Sequence, residues 1–257
     1  MIDFKKKDNN YLFPEYTSYN RAVNYPYYAP NYPFSFCKGQ FVKGVCFNLE
    51  NRIPILSVGS NRSPYQLKRK FSLNEDICVT PAKLFDSDIV YASSISAYGS
   101  MPATQWPSEG TVVDLNVLWL KEEQLSIMHL TEAVGIAYHF VKLQQGSVKL
   151  LDFEYSNDIY GYVSVAGVLP FESVPKRLSA INGSNIKLDS IDEYEALLST
   201  MNILENKKQN LEQWLSKVVH NKKYRLKVHE NLKKIALKPK RPNWKIIEVK
   251  SNGKLVI

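Results

Sequence analysis

Ile55-Leu56-Ser57-Val58-Gly59-Ser60-Asn61-Arg62-Ser63-Pro64 reads as a strand that ends in a tight turn and then enters a helix. The apolar residues at 55, 56 and 58 fit a buried strand. Gly59-Ser60-Asn61 is turn chemistry. Ser63 predicts an N-cap, Pro64 a first helical position, and Gln66 the partner of a capping box. Leu67 and Phe71 then share one helix face. The first N–H groups of such a helix have no internal partner, and its dipole adds partial positive charge there. Gly59 lets the backbone approach a ligand closely, and Ser60 and Asn61 add side-chain hydrogen bonds. An anion or a developing oxyanion suits that position. An ordinary strand–turn–helix junction would carry the same letters.

Some seventy residues on, a second segment predicts a helix over 121–133 that opens with acidic residues, as the dipole favours. Leu125, Met128 and Glu132 fall on one stripe of it. Glu132 is thereby expected to face inward. A buried carboxylate with no partner is costly, and burial alone would raise its pKa toward the range a general base needs. A solvated glutamate at a frayed helix end fits the same spacing.

The chain has 257 residues, 44% hydrophobic and 23% charged, which predicts a packed core and not a disordered chain. No apolar run approaches the roughly 18 residues of a spanning helix. The basic segment Met1–Asp8 is followed by no apolar stretch, so a secretory signal is not expected. The three cysteines, Cys37, Cys46 and Cys78, form no CxxC pair. Their odd number argues against a disulfide framework. These features together predict a cytoplasmic protein without a membrane partner. No His/Cys cluster has metal-ligand spacing, and neither metal nor cofactor is expected.

The net charge of +8 is unevenly placed. Lys217 to Lys250 holds ten Lys and two Arg against two Glu, a net of +10, which leaves about −2 for the rest. Lys222, Lys223, Arg225, Lys227, Lys233 and Lys234 decorate one predicted helix. A solvated face explains them, and a contact with phosphate backbones is the alternative. No recognised nucleic-acid motif accompanies them.

Over 11–36, seven tyrosines are interleaved with Pro14, Pro26, Pro30 and Pro33. The prolines predict an extended, turning arm whose rings pack on the body. A base-stacking platform is the sharper reading, but Arg21 is the only basic residue there. Strands are predicted over 41–49, 53–58, 89–94, 111–118, 137–143, 149–154 and 160–168. Many strands with two helices among them suggest a closed or nearly closed sheet. Beyond Pro170, helices are predicted from Asp189, from Asn202 to about His220, and from Lys222 to Leu237. A last strand is expected around the Asn252-Gly253 turn.

The order of these features resembles the γ-glutamylcyclotransferase family. Val58-Gly59-Ser60-Asn61-Arg62 stands where that family has a Tyr-Gly-Ser-Asn-Leu loop. Pro102-Ala103-Thr104 and Glu109-Gly110-Thr111 match its middle element. Leu118–Leu125 enters the helix, Thr131-Glu132-Ala133-Val134-Gly135 carries the glutamate, and Tyr138 follows. The likeness covers about 53–170. Three positions depart from the pattern: Val58 replaces an aromatic residue, Arg62 a leucine, and Ala133 a frequent glycine. Tyr98-Gly99-Ser100 matches the loop more closely by letter, but Met101-Pro102 follows it instead of a capped helix, and it reads as a decoy.

The resemblance implies an α+β fold, a small mixed β-barrel with packed helices over 40–175. The aromatic arm over 1–39 precedes it and a helical basic extension over 176–257 follows. It also implies a cofactor-independent enzyme that cyclises a small γ-glutamyl compound to 5-oxoproline, releasing an amine. Glu132 would be the catalytic base. Val58, Gly59, Ser60, Asn61, Arg62 and Tyr138 would contact the substrate. The rival readings are a non-catalytic descendant of the fold, binding a small ligand or a protein, and a nucleic-acid-associated protein using the basic helices. Neither leaving group nor oligomeric state is specified by the sequence.

Overall fold

The computed structural model describes residues 11–71, 75–205 and 210–249. Its centre is one large, mixed sheet. β1 (Phe34–Cys37) and β2 (Gln40–Lys43) form a hairpin, followed by β3 (Ile53–Ser57). β4 (Ile77–Tyr91) and β5 (Ala103–Leu120) make a long antiparallel ribbon. β6 (Tyr138–Leu143), β7 (Val148–Leu150) and β8 (Tyr160–Ser164) complete the main strands. The hydrogen-bonded path runs from Ser190–Ile191 through Arg177–Leu178, β4, β5, β3, β8 and β6 to Trp244–Ile246.

That path is open, which corrects the expected barrel. Closure would need the free edge of β4 to meet Trp244–Ile246. Short segments take that edge instead: β1 at Phe34–Phe36, β7 at Val148–Leu150, and Arg177 opposite Val90. Sequence patterning predicts strands but not which edge each one finds. β4 also begins well before the predicted 89–94, because Pro81 within it conceals a strand. Glu109–Gly110, matched to the middle element of the resembled pattern, lies inside the continuous β5. Gly110 adopts φ +77° there, and its N–H donates to Asp86 Oδ1 at 2.7 Å, beside the bulge between Phe85 and Ser87.

Alternation along the strands creates two cores. Leu56, Val117 and Trp119 face one, while Ile55, Leu118 and Leu120 face the other. α1 (Ser18–Val23) and the C-terminal helices α4 (Glu193–Leu204), α5 (Leu211–His220) and α6 (Lys222–Ile235) cover the first, through Ala22, Leu197, Trp214 and Leu232. α2 (Pro64–Lys70) and α3 (Glu122–Thr131) cover the second, through Leu67, Leu125 and Met128. The single helix read from Asn202 to His220 is two, with Asn210 capping the second. The Asn252-Gly253 turn lies outside the described residues. The tyrosine arm packs on the body as its apolar rings require. Tyr25 and Tyr27 are buried, and Tyr27 and Tyr16 both contact the ring of Tyr65.

Candidate active site

β3 is held centrally, antiparallel to β5 from Ile53 opposite Leu120 to Ser57 opposite Asn116, and parallel to β8 at Ile55. Its end therefore projects Val58 and Gly59 from a fixed platform. A 3-10 turn follows at Ser60–Arg62, before α2. This turn corrects the predicted capping. Ser63 occupies the N-cap and Pro64 the first helical position, but the Ser63 hydroxyl makes no cap bond. The amides of Ser60 and Asn61 make no backbone hydrogen bond among the described residues. Gly59 is required by a close approach, though not that of a ligand. A Cβ there would clash with Tyr25 Oη.

Glu132 comes to this turn from the other side. α3 ends in a Schellman arrangement: Ala133 N–H donates to Leu130 O at 3.1 Å and Val134 N–H to His129 O at 3.1 Å. Glu132 is the C-cap, so it is fixed and not frayed. Ala133 takes the left-handed φ of +48°, which accounts for the glycine common at this place in the resembled pattern. Asn61 Nδ2 donates to Glu132 Oε1 at 3.0 Å. Lys70 Nζ, from the last turn of α2, also donates to Oε1. The expectation of an unpartnered carboxylate is thereby overturned. Lys70 and Glu132 form an ion pair whose side chains are 8% and 12% exposed, buried enough for the pairing to matter. Both bonds fall on Oε1, and Oε2 has no hydrogen bond among the described residues.

The turn and Glu132 line one cavity of about 350 Å³. Of the residues named as substrate contacts, Val58, Gly59, Ser60, Asn61 and Tyr138 line it. Arg62 does not. Its Nε donates to Asn116 Oδ1 at 2.8 Å, and its side chain lines a separate cavity behind the turn. The 3-10 turn rotates it away from its neighbours. Burial pulls the Arg62 guanidinium down to about 10, with Asp114 and then Tyr25 opposing that pull, and it remains charged at neutral pH.

Several wall residues were not anticipated. Tyr98, from the loop read as a decoy, lines the same cavity and supplies an aromatic ring in a site where Val58 brings none. Tyr25, from the arm, accepts from Ala103 N–H at 2.8 Å, while Tyr138 Oη donates to Ala103 O at 3.3 Å. Desolvation raises the phenols of Tyr25, Tyr98 and Tyr138 above the ordinary tyrosine value, so they stay neutral donors. His229, from α6, is a further wall residue. Ser57, Asn61 and Gln66 are wall residues whose Oγ, Oδ1 and Oε1 atoms are buried with no partner among the described residues. Among the described residues, no group of three or more His, Cys, Asp or Glu side chains could hold a metal, and no helix is long and apolar enough to cross a membrane.

No family model matches the chain, and no curated protein matches it. Among solved structures it is similar to one titled gamma-glutamyl cyclotransferase, at 14% identity, covering 76% of this chain and 93% of that one, with a TM-score of 0.34. It is also similar to the crystal structure of an uncharacterized protein from Homo sapiens, at 15% identity, covering 77% and 94%, with a TM-score of 0.36. Likeness at this level fixes neither activity nor substrate.

One wall residue gives the site a pH signature. Tyr162 lines the cavity, and its Oη lies 2.8 Å from His129 Nδ1, beneath α3. Burial lowers the His129 imidazole from 6.5 to about 4. The folded protein therefore binds fewer protons than the unfolded chain between those values. Stability from this group is present above about 6.5 and is lost as the pH falls toward about 4. The shift corresponds to about 3 kcal/mol. His129→Gln is expected to flatten the urea-denaturation stability profile across that window by a similar amount. An unchanged slope would assign the pH dependence to other groups.

Proposed function

We propose that the protein is a γ-glutamylcyclotransferase-like enzyme acting on a small γ-glutamyl amine or peptide. One observation carries this reading. A fixed glutamate, with one carboxylate oxygen that accepts no hydrogen bond among the described residues, shares a single small cavity with the strand-end turn whose asparagine binds its other oxygen. Glu132 Oε2 would take a proton from the substrate's α-amino group. As that proton leaves, the nitrogen of the neutral amine attacks its own γ-carbonyl carbon, forming the five-membered ring. The carbonyl oxygen becomes an oxyanion, within reach of donors from Ser60 and Asn61. Collapse breaks the γ C–N bond, and the leaving amine takes the proton back from Glu132. The products are 5-oxoproline and the free amine. Attack within one molecule is entropically favoured, so holding the substrate in a reactive pose supplies much of the rate. Neutral Tyr98 suits the substrate's carboxylate as a hydrogen-bond donor, whereas the Tyr138 hydroxyl proton is held by Ala103 O. A cavity of about 350 Å³ suits a small molecule.

The Lys70–Glu132 pair favours a second reading, a binding protein of the same fold in which the carboxylate serves structure only. A panel of γ-glutamyl amines and dipeptides separates the two. Purified protein is expected to release 5-oxoproline, detected by mass spectrometry, from at least one of them. Binding without release across the panel would leave the second reading standing.

A further inference from the structure

A second cavity, of about 510 Å³, lies behind the same turn, and Gly59 contributes to the walls of both. We propose that it binds a small oxyanion, a phosphate or carboxylate group, through the unbonded fork of Arg62 with Lys83 beside it. The proposal holds whether or not Glu132 is a catalytic base.

Arg62 makes one hydrogen bond, from Nε to the neutral amide oxygen of Asn116. Its two terminal nitrogens have no partner among the described residues, and neither is sealed from solvent. A guanidinium fork of this kind matches carboxylate and phosphate oxygens in bidentate geometry. The carboxylate near it, Asp114, is bonded to Lys83 Nζ at 2.6 Å. The charged residues lining the cavity are therefore two cations, Arg62 and Lys83, against one anion, Asp114. That is a net of +1 in a recess with partly desolvated walls. A half-buried cation whose one bonded partner is neutral is costly, and an entering anion relieves that cost. The ring of Tyr28, 44% exposed, offers a flat wall for the rest of the ligand.

The wild-type protein is titrated with inorganic phosphate and, separately, with acetate, at ionic strength held constant with chloride. Protection of Arg62 from phenylglyoxal is mapped by peptide mass, with the exposed Arg69 and Arg241 as controls for screening. Saturable protection of Arg62 that the controls do not share is expected. Protection by phosphate alone places the ligand among phosphorylated small molecules, and protection by acetate alone among carboxylates. Arg62→Gln is expected to weaken binding about tenfold or more, and Lys83→Met to weaken it less. No protection beyond chloride, or wild-type affinity in a folded Arg62→Gln variant, would overturn the proposal. Should Arg62→Gln not fold, the protection map of the wild-type protein decides alone.

Discussion

Glu132→Gln is expected to lower the rate of 5-oxoproline release by about 10²–10⁴-fold, the usual worth of a positioned proton acceptor. Gln keeps the shape and can still accept from Lys70 and Asn61 through its carbonyl oxygen. It cannot take a proton from the substrate amine. The loss should fall on kcat, with KM nearly unchanged, because the turn amides and Tyr98 hold the substrate in either protein. Substrate binding by calorimetry should therefore survive in the variant. Turnover within a factor of about ten of wild type would remove Glu132 from the chemistry. The rate has to be expressed per folded molecule, since the same substitution weakens the pairing with Lys70.

The parts of the site that were legible in the sequence are those set by local spacing. Ser-Pro after a Gly-Ser-Asn turn marks a helix start, and Glu132 falls on the stripe of Leu125 and Met128. Lys70 was not picked out, although the same rule places it. It lies three residues beyond Leu67, on the face that Leu67 and Phe71 bury. A lysine in a short basic run reads as solvated, yet its stem packs along apolar surface while its ammonium reaches a partner. Here that partner is a carboxylate and not water. Ser63 misled in the opposite sense, because a cap position alone does not say that the hydroxyl will be used.

His229 carried no local signal, and neither the Tyr98-Gly99-Ser100 letters nor the tyrosines of the arm pointed to this cavity. Tyr98, Tyr25 and His229 each reach the cavity from a distant part of the chain: the loop after β4, the aromatic arm, and α6. Only tertiary packing brings them there. The arm and the basic extension look like appendages by composition, and both nonetheless build the wall of the cavity. Val228 and Leu232 explain how α6 can do so, since they bury one face of a helix whose lysines stay outside. The rest of the sheet was legible in part: β3, β6 and β8 were read near their observed bounds, but β1 starts in the segment read as an arm, β4 begins at Ile77, and the closure was not legible. Whether a strand set forms a barrel depends on which segments take each edge, and no residue near those edges announces it.

Lys70→Met is expected to destabilise the fold by about 3 kcal/mol, because it leaves the Glu132 charge in a largely desolvated site with Asn61 alone. The figure belongs at the lower end of the range for broken buried pairs, since the cavity gives Oε2 access to water. At this chain length the change corresponds to a fall in Tm of about 6–10 °C. Met fits the position sterically, because Lys70 Nζ already lies 3.5 Å from Met128 Sδ. The decisive comparison is the double variant Lys70→Met/Glu132→Gln. With both charges removed, no buried ion is left uncompensated. The double variant should therefore be more stable than the sum of the two single losses predicts, by at least about 1 kcal/mol. It should also remain inactive, which separates the structural use of Oε1 from the chemical use of Oε2. Strict additivity in thermal and urea denaturation would mean that the two side chains do not share an ion pair in solution.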